Sequence, residues 1–335
     1  MSALPPDPVR VAYEDSVAWV TFDLPGEKVN KLSRAVMERL SQVLSELESR
    51  PGLRGAVFTS GKDGMFLAGA DVSEIQKVVT AEEAEEAARA GQSIMDRIER
   101  LPFPTVAAVG GVCLGGGTEI ALACRGRVGT DHPRFQIGLP EVNLGIVPAW
   151  GGTTRLPRLV GIESALDMML TGRGIDARKG EKIGLLDRAV PHGRLREQAL
   201  ALLAELAQGK ASARRKPSLR DFFLEGNPLG RFVLFSQARK RVLSRTDGHY
   251  PAPLAVLHIV EKGRTSKSRS LALEREKVKE LLAGEVSKNL VHLFFLNERA
   301  KKERGIASDI EPGTIEATGL LGAGTMGGGI ARLLA

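Results

Sequence analysis

The segment that most restricts the fold is the apolar run TVAAV at 105–109, which passes directly into GGVCLGGGTE at 110–119. The run is strand-length, and the glycines after it let the backbone turn sharply and approach its neighbours before the helical stretch EIALA begins. A buried strand, a glycine turn and an apolar helix in quick succession point to an α/β core. Upstream the alternation repeats. VAWVTFD (17–23) alternates as a strand, 33–47 carries apolar residues at helical spacing after a serine cap, and GAVFT (55–59) reads as a short buried strand. Residues 81–101 form a charged amphipathic helix that stops at Pro102 and Pro104.

Beyond residue 190 the pattern becomes helical. Residues 194–208 have helical periodicity, 217–227 reads as a connector, and 228–304 is helical with loops at TDGH (246–249) and KGRTS (262–266). DIEPG (309–313) reads as a linker and 315–321 as a strand. GAGTMG (322–327) then matches G-x-G-x-x-G, with Gly322, Gly324, Met326 and Gly327 as the candidate dinucleotide-binding residues. Such a site also needs a following strand with an acidic residue about 20 positions on. The 335 residues do not contain one. The expectation is an incomplete Rossmann strand–helix fragment, with no useful NAD binding.

Composition narrows the function. The length corresponds to about two domains at ~150 residues each, and 43% hydrophobic with 26% charged residues excludes a disordered chain. No apolar run approaches the ~20 residues of a membrane helix, and no secretory signal opens the chain. Two cysteines, Cys113 and Cys124, build neither a disulfide framework nor a metal cluster, so a reducing, cytoplasmic setting without metal is expected. The charge is +7, with Lys210, Arg214, Arg215, Lys216 and Arg220 in one basic stretch. Aromatics at 4% and the lack of a helix-turn-helix, zinc-finger or RNA-binding motif argue against nucleic acid.

Two glycine-rich segments carry candidate chemistry: FLAGAD (66–71) and the 110–119 turn. Each alone is a tight turn; together they offer two converging N–H donors to a carbonyl oxygen. Glu119 lies in the first turn of an apolar helix, and Glu141 follows Pro140 in the mostly apolar loop GLPEVNLG (138–145). A helix-dipole charge explains the first equally well, and a loop cap or ion pair the second. His132, His192, His249, His258 and His292 lack any serine or cysteine elbow, which leaves a Ser-His-Asp hydrolase unsupported.

FLAGADVSE, PTVAAVGGVCLGGGTEIALAC and GLPEVNLGIVP…GGTTRLPRLVG resemble the signature blocks of the crotonase (enoyl-CoA hydratase/isomerase) superfamily. LTGRGIDARKGEKIGLLDRAVP, NPLGRFVLFSQARK and LLGAGTMGGGIA resemble its multifunctional fatty-acid β-oxidation members, alpha subunits in which a hydratase part precedes a 3-hydroxyacyl-CoA dehydrogenase. The resemblance implies a spiral ββα core over 1–191, a helical extension over 192–308 and a truncated dehydrogenase start over 309–335. It also implies enoyl-CoA hydration with no cofactor beyond the coenzyme A of the substrate. The N–H groups of Ala70 and Gly116 would form the oxyanion hole, with Glu119 and Glu141 as catalytic carboxylates. The helix dipole is expected to keep Glu119 ionised while Glu141 holds a proton. Asn30, Leu32, Ala68, Gly69, Asp71, Gly115 and Trp150 would contact the acyl-CoA. Relatives place a lysine after the A-D pair, where this chain has Val72-Ser73, so Lys28, Lys31 or Lys77 is expected to substitute. PAWGG (148–152) departs from the usual Pro-Gly, and Trp150 is expected on the acyl-pocket wall. Rival readings are an isomerase of the same fold and a non-catalytic assembly subunit. Partners would be a thiolase beta subunit or further copies of this chain.

Overall fold

A computed structural model describes residues 7–210, 223–301, 303, 313–322 and 324–334. The chain divides into two compact units, Met1–His292 and Leu293–Ala335.

The first unit is built on a six-stranded sheet of order β1-β2-β3-β5-β7-β9 and a three-stranded sheet of order β4-β6-β8. β1 (Val9–Glu14) and β2 (Val17–Phe22) form an antiparallel hairpin, with Asp15 and Ser16 at positive φ in its two-residue turn. β3 (Gly55–Ser60), β5 (Thr105–Val109), β7 (Gly126–Thr130) and β9 (Arg188–Val190) continue the sheet in parallel. Parallel strands are covered on both faces, and the side chains divide accordingly. Ala56, Phe58, Ala107 and Val109 join the main core with α1 (Arg34–Ser49) and α3 (Ala81–Arg100). Val57, Val106, Ala108 and Val128 meet Leu202, Leu203 and Leu206 of α8 (Leu195–Ala207) on the other face. Gly55 and Gly126 let α8 close down, since a Cβ at either would lie within 2.8 Å of a leucine methyl.

After each of β3, β5 and β7 the chain makes a short strand of the second sheet and then turns into helix, a repeating ββα spiral. The short strands are β4 (Met65–Leu67), β6 (Val112–Leu114) and β8 (Gln136–Gly138), all parallel. The helices that follow are α2 (Val72–Lys77) with α3, α4 (Gly116–Ala123), and a 3-10 turn Glu141–Leu144 leading to α5 (Gly152–Val160). Local chemistry sets the helix ends. Ser33 accepts the Val36 N–H at the start of α1, and Thr80 with Glu83 forms a reciprocal capping box on α3.

α6 (Ile162–Thr171) and α7 (Ala177–Lys182) lead to β9, and four more helices follow α8: α9 (Pro228–Thr246), α10 (Pro251–Gly263), α11 (Lys267–Ala283) and α12 (Glu285–Ala300). They do not stand apart. α10 packs on α5 and α6, α11 packs on α3, and Val256, Leu257, Ile259, Val278 and Leu281 belong to the main core. The boundary expected after residue 191 falls between β9, the last strand of the sheet, and α8, the helix that covers β3, β5 and β7. The boundary expected at 308/309, most of the basic 210–220 stretch and most of the 309–313 linker lie outside the described residues.

In the second unit, the strand expected over 315–321 does not form. Residues 313–322 are irregular and exposed, with no neighbouring strand among the described residues to take their backbone hydrogen bonds. The expected helix does form, as α13 (Gly327–Leu334). Among the described residues no helix is long and apolar enough to cross a membrane.

Candidate active site

The carboxyl ends of β4, β6 and β8 deliver the three segments singled out in the sequence. β4 leads to Ala68–Asp71, β6 to the glycine turn before α4, and β8 to Pro140 and Glu141. Leu32 bridges Ala70 in parallel, its N–H donating to the Gly69 carbonyl at 2.9 Å while the Asp71 N–H donates to the Leu32 carbonyl at 3.3 Å. That alternation turns the Ala70 N–H away from Leu32. Gly69 sits at φ +94°, and a Cβ there would lie 3.0 Å from the Leu114 oxygen and 3.5 Å from the Gly116 nitrogen. The two glycine segments are therefore in direct contact. Neither the Ala70 N–H nor the Gly116 N–H has a hydrogen-bond partner among the described residues. Gly116 opens α4, where unpaired N–H groups are the rule.

Glu119 is 2% exposed, on a helix whose every residue is buried. Its Oε1 accepts the Trp150 N–H at 2.8 Å and the Gly152 N–H at 2.7 Å, so the start of α5 and the loop before it both grip the carboxylate. Burial, together with the charges of Glu141 and Glu274, pushes its pKa well above the ordinary carboxylate range despite these donors. Desolvation thus acts against the helix dipole that is expected to keep Glu119 ionised.

Glu141 is half-buried as a residue, but its Oε2 is enclosed and has no partner. Its Oε1 lies 2.9 Å from where a Cβ on Gly115 would stand, which glycine (φ +54°) leaves vacant. Burial pushes its carboxyl up to about 8, with the Glu274 charge acting in the same direction. A buried carboxyl oxygen without a partner is costly and marks a place for a ligand or water. Interacting carboxylates of this kind titrate as a pair.

Trp150 lies against the same turn. A Cβ on Gly116 would come within 2.5 Å of its Cζ3, and one on Gly91 of α3 within 2.2 Å of its Cδ1, so the indole is wedged between two glycines. Leu32 borders the same spot, its Cδ1 3.0 Å from that Gly116 position. Other expected contacts are placed differently. The Asn30 side chain is fully committed inside: Oδ1 accepts the Leu24 N–H, and Nδ2 donates to the Phe22 carbonyl, Ser60 Oγ and the Phe66 carbonyl. It ties the 22–24, 60 and 66 segments together beneath the loop expected to contact the acyl-CoA. Its carbonyl receives the Ala68 N–H. Asp71 caps α2 through the Ser73 N–H. Burial would raise its pKa, but the bond to Ser73 and the Lys31 ammonium at 3.3 Å bring it below the usual value. Lys31 is thereby engaged. Lys28 and Lys77 are exposed, without an ion-pair partner among the described residues.

Sequence reasoning missed Glu274, Gln92, Thr153 and Thr154, which form a buried polar cluster behind Glu119. Glu274 is one of many charges in LALEREKVKE (271–280), and no local pattern separates it from the solvated ones. In the second unit, Gly322 lies at φ +104°, and Gly327 starts α13 with its N–H on the Gly324 carbonyl. Gly324 and Met326 are exposed. No group of side chains able to hold a metal occurs among the described residues.

The sequence profile of the enoyl-CoA hydratase/isomerase family matches residues 12–219. The chain belongs to that family. It is 44% identical over 322 residues to the fatty acid oxidation complex subunit alpha of Aliivibrio fischeri, covering 96% of this chain and 46% of that protein. It thus spans about half the length of that relative. The crystal structure of enoyl-CoA hydratase from Bacillus anthracis superposes with a TM-score of 0.55 at 26% identity, over 88% of this chain and 97% of that one. Human mitochondrial delta3-delta2-enoyl-CoA isomerase shares the fold at 22% identity, with a TM-score of 0.62 over 89% of this chain and all of that one.

Proposed function

We propose that this chain hydrates trans-2-enoyl-CoA to 3-hydroxyacyl-CoA, the water-adding step of fatty-acid β-oxidation. The observation that carries the reading is the meeting of two buried carboxylates, Glu119 and Glu141, with the unpartnered N–H groups of Ala70 and Gly116. The thioester oxygen would accept both N–H groups, which stabilise the negative charge that builds there as the enolate forms. Removing one such donor costs about 3 kcal/mol in comparable sites. A water between the carboxylates would lose a proton to the ionised one while its oxygen bonds to Cβ. The protonated partner delivers its proton to Cα. The pair starts and ends with one proton, so the site regenerates itself. The raised pKa values of both groups support a proton held within the pair near neutral pH.

Coenzyme A enters as part of the substrate, and the exposed Lys28 and Lys77, without an ion-pair partner among the described residues, are candidates for its phosphates. The name of the Aliivibrio fischeri relative, a complex subunit, supports assembly with a partner, and the family resemblance points to a thiolase beta subunit. The buried free thiols of Cys113 and Cys124 agree with a reducing, cytoplasmic setting.

The test is loss of the conjugated thioester absorbance of trans-2-butenoyl-CoA, with 3-hydroxybutyryl-CoA identified as product. Glu119→Gln and Glu141→Gln should each lower turnover by about 10²–10⁴-fold while leaving the fold intact. Near-normal turnover by either variant refutes that residue's role. Conversion of 3-enoyl to 2-enoyl thioester without hydration would make the chain an isomerase instead.

A further inference from the structure

Glu274 comes from α11, in the helical extension, yet it is completely buried against the core. Its Oε1 accepts the hydroxyls of Thr153 and Thr154 at 2.5 and 2.7 Å, and its Oε2 accepts the Gln92 amide at 3.1 Å. Thr153 and Thr154 directly follow Gly152, whose N–H holds Glu119. Gln92 Nε2 also donates to the Ala149 carbonyl at 2.9 Å, on the peptide whose N–H, that of Trp150, is the other donor to Glu119. Both N–H groups that fix Glu119 are thus anchored from behind by one carboxylate and its amide partner. Burial pushes the Glu274 carboxyl above the ordinary carboxylate range; all three contacts donate to it and, with the nearby Arg155 charge, oppose that push, the pattern expected of an ionised carboxylate.

Its surroundings are otherwise balanced. Asp96 and Glu99 of α3 are engaged by Arg155 of α5, at 2.7 and 2.9 Å, and by Lys267 of α11, at 2.9 and 2.7 Å. Arg158 of α5 donates to the Thr154 and Gly263 carbonyls, and Arg275 of α11 donates to Gln92 Oε1. Ser270 bonds Thr154 at 2.8 Å. None of these cations makes an ion pair with Glu274.

We propose that Glu274 is a positioning residue for the hydration chemistry: it clamps the 149–154 turn that holds Glu119 and sets the negative field in which the Glu119–Glu141 pair works. The proposal rests on the hydratase reading above. It makes the helical extension part of the catalytic apparatus, and it fits the upward push that Glu274 exerts on both catalytic carboxyls.

Glu274→Gln keeps the volume and most of the hydrogen bonding but removes the charge. With a like charge gone, both carboxyls ionise more easily, so the pH–kcat profile should move down by about half to one unit. At a pH on the alkaline limb a one-unit shift lowers kcat about tenfold. KM should stay within about twofold, since Glu274 does not reach the substrate. Glu274→Asp, which keeps the charge, should restore the profile. Should Glu274→Gln fail to fold, Thr154→Val provides the second probe. Losing one donor lets Glu274 protonate more readily, which moves the profile the same way by a smaller amount. A Glu274→Gln profile superimposable on wild type overturns the proposal, as does an unshifted Thr154→Val profile if that probe is needed. A chain that never hydrates enoyl-CoA refutes the hydratase reading instead. The field is then tested without substrate, by ¹³C NMR titration of labelled glutamate carboxyls, where unchanged Glu119 and Glu141 midpoints in Glu274→Gln overturn it.

Discussion

Gly116→Ala is the sharpest probe of the proposed oxyanion turn, because the structure says what one methyl group would meet. The added Cβ would stand 2.5 and 2.9 Å from Cζ3 and Cε3 of Trp150 and 3.0 Å from Leu32 Cδ1. Gly116 is helical and not at positive φ, so alanine is allowed by the backbone and the cost is steric alone. Carbon pairs prefer about 3.5–4.0 Å, so the indole must retreat by about 1 Å. Its far side meets Gly91, where the fit is equally close, so it cannot retreat freely. Overpacking of this kind costs about 1–3 kcal/mol. Trp150→Ala removes the obstacle and opens a cavity, costing about 3–5 kcal/mol if the ring were fully buried and less for this half-buried one. The double variant should then be more stable than the sum of the singles implies, with a coupling of about 1–3 kcal/mol. Urea unfolding of the four proteins measures that coupling, and kcat/KM on butenoyl-CoA follows the same cycle. Strict additivity in unfolding would show that the indole does not abut Gly116 and would remove Trp150 from the pocket wall.

The remaining expectations are simpler to state. The Glu141 carboxyl is raised from 4.5 to about 8, so from pH 4.5 to 8 the folded chain keeps a proton that the unfolded chain releases. Stability therefore falls as pH rises through that window. Glu141→Gln, which cannot titrate, should gain in Tm relative to wild type between pH 5 and pH 8.5, by no more than about 5 kcal/mol in free energy; a Tm difference that does not vary with pH refutes the assignment. Trp150→Gly should move the chain-length profile of kcat/KM toward longer enoyl-CoAs, at about 1–3 kcal/mol per methylene accommodated, and an unchanged profile from four to sixteen carbons makes Trp150 ordinary packing. With residues 315–321 irregular, the 335-residue chain should show no saturable micromolar binding of NADH by fluorescence.

What was legible in the sequence was local. TVAAV followed by glycines specified a strand and a turn, and the serine before 34–47 specified a cap. Each signal concerns residues that touch their own neighbours in the chain. The strand expected over 315–321 shows the limit. Alternating apolar residues make a strand only when another strand takes up their backbone hydrogen bonds, and among the described residues none does. Asn30 shows the same limit inside the fold: nothing in its local sequence says that the 22–24, 60 and 66 segments converge on its side chain.

The proposed catalytic pair and its support differ in the same way. Glu119 and Glu141 sit in short apolar stretches, where a charge stands out and demands an explanation. Glu274 lies 155 and 133 residues further on, among surface charges, and nothing in its heptad distinguishes it. Its burial follows from how α11 packs on α3 beside α5, a contact between elements far apart in the chain. Three carboxylates enclosed so close together would be strongly destabilising if all were charged and unpaired. The fold meets that cost unequally. Glu274 receives three donors and Glu119 two N–H groups on one oxygen, while Glu141 is left with an unpartnered Oε2. The least satisfied carboxylate is the one beside Gly115, where a Cβ would crowd its Oε1. On the proposed hydratase reading, this unequal sharing of donors leaves one proton to pass between Glu119, Glu141 and the reacting water.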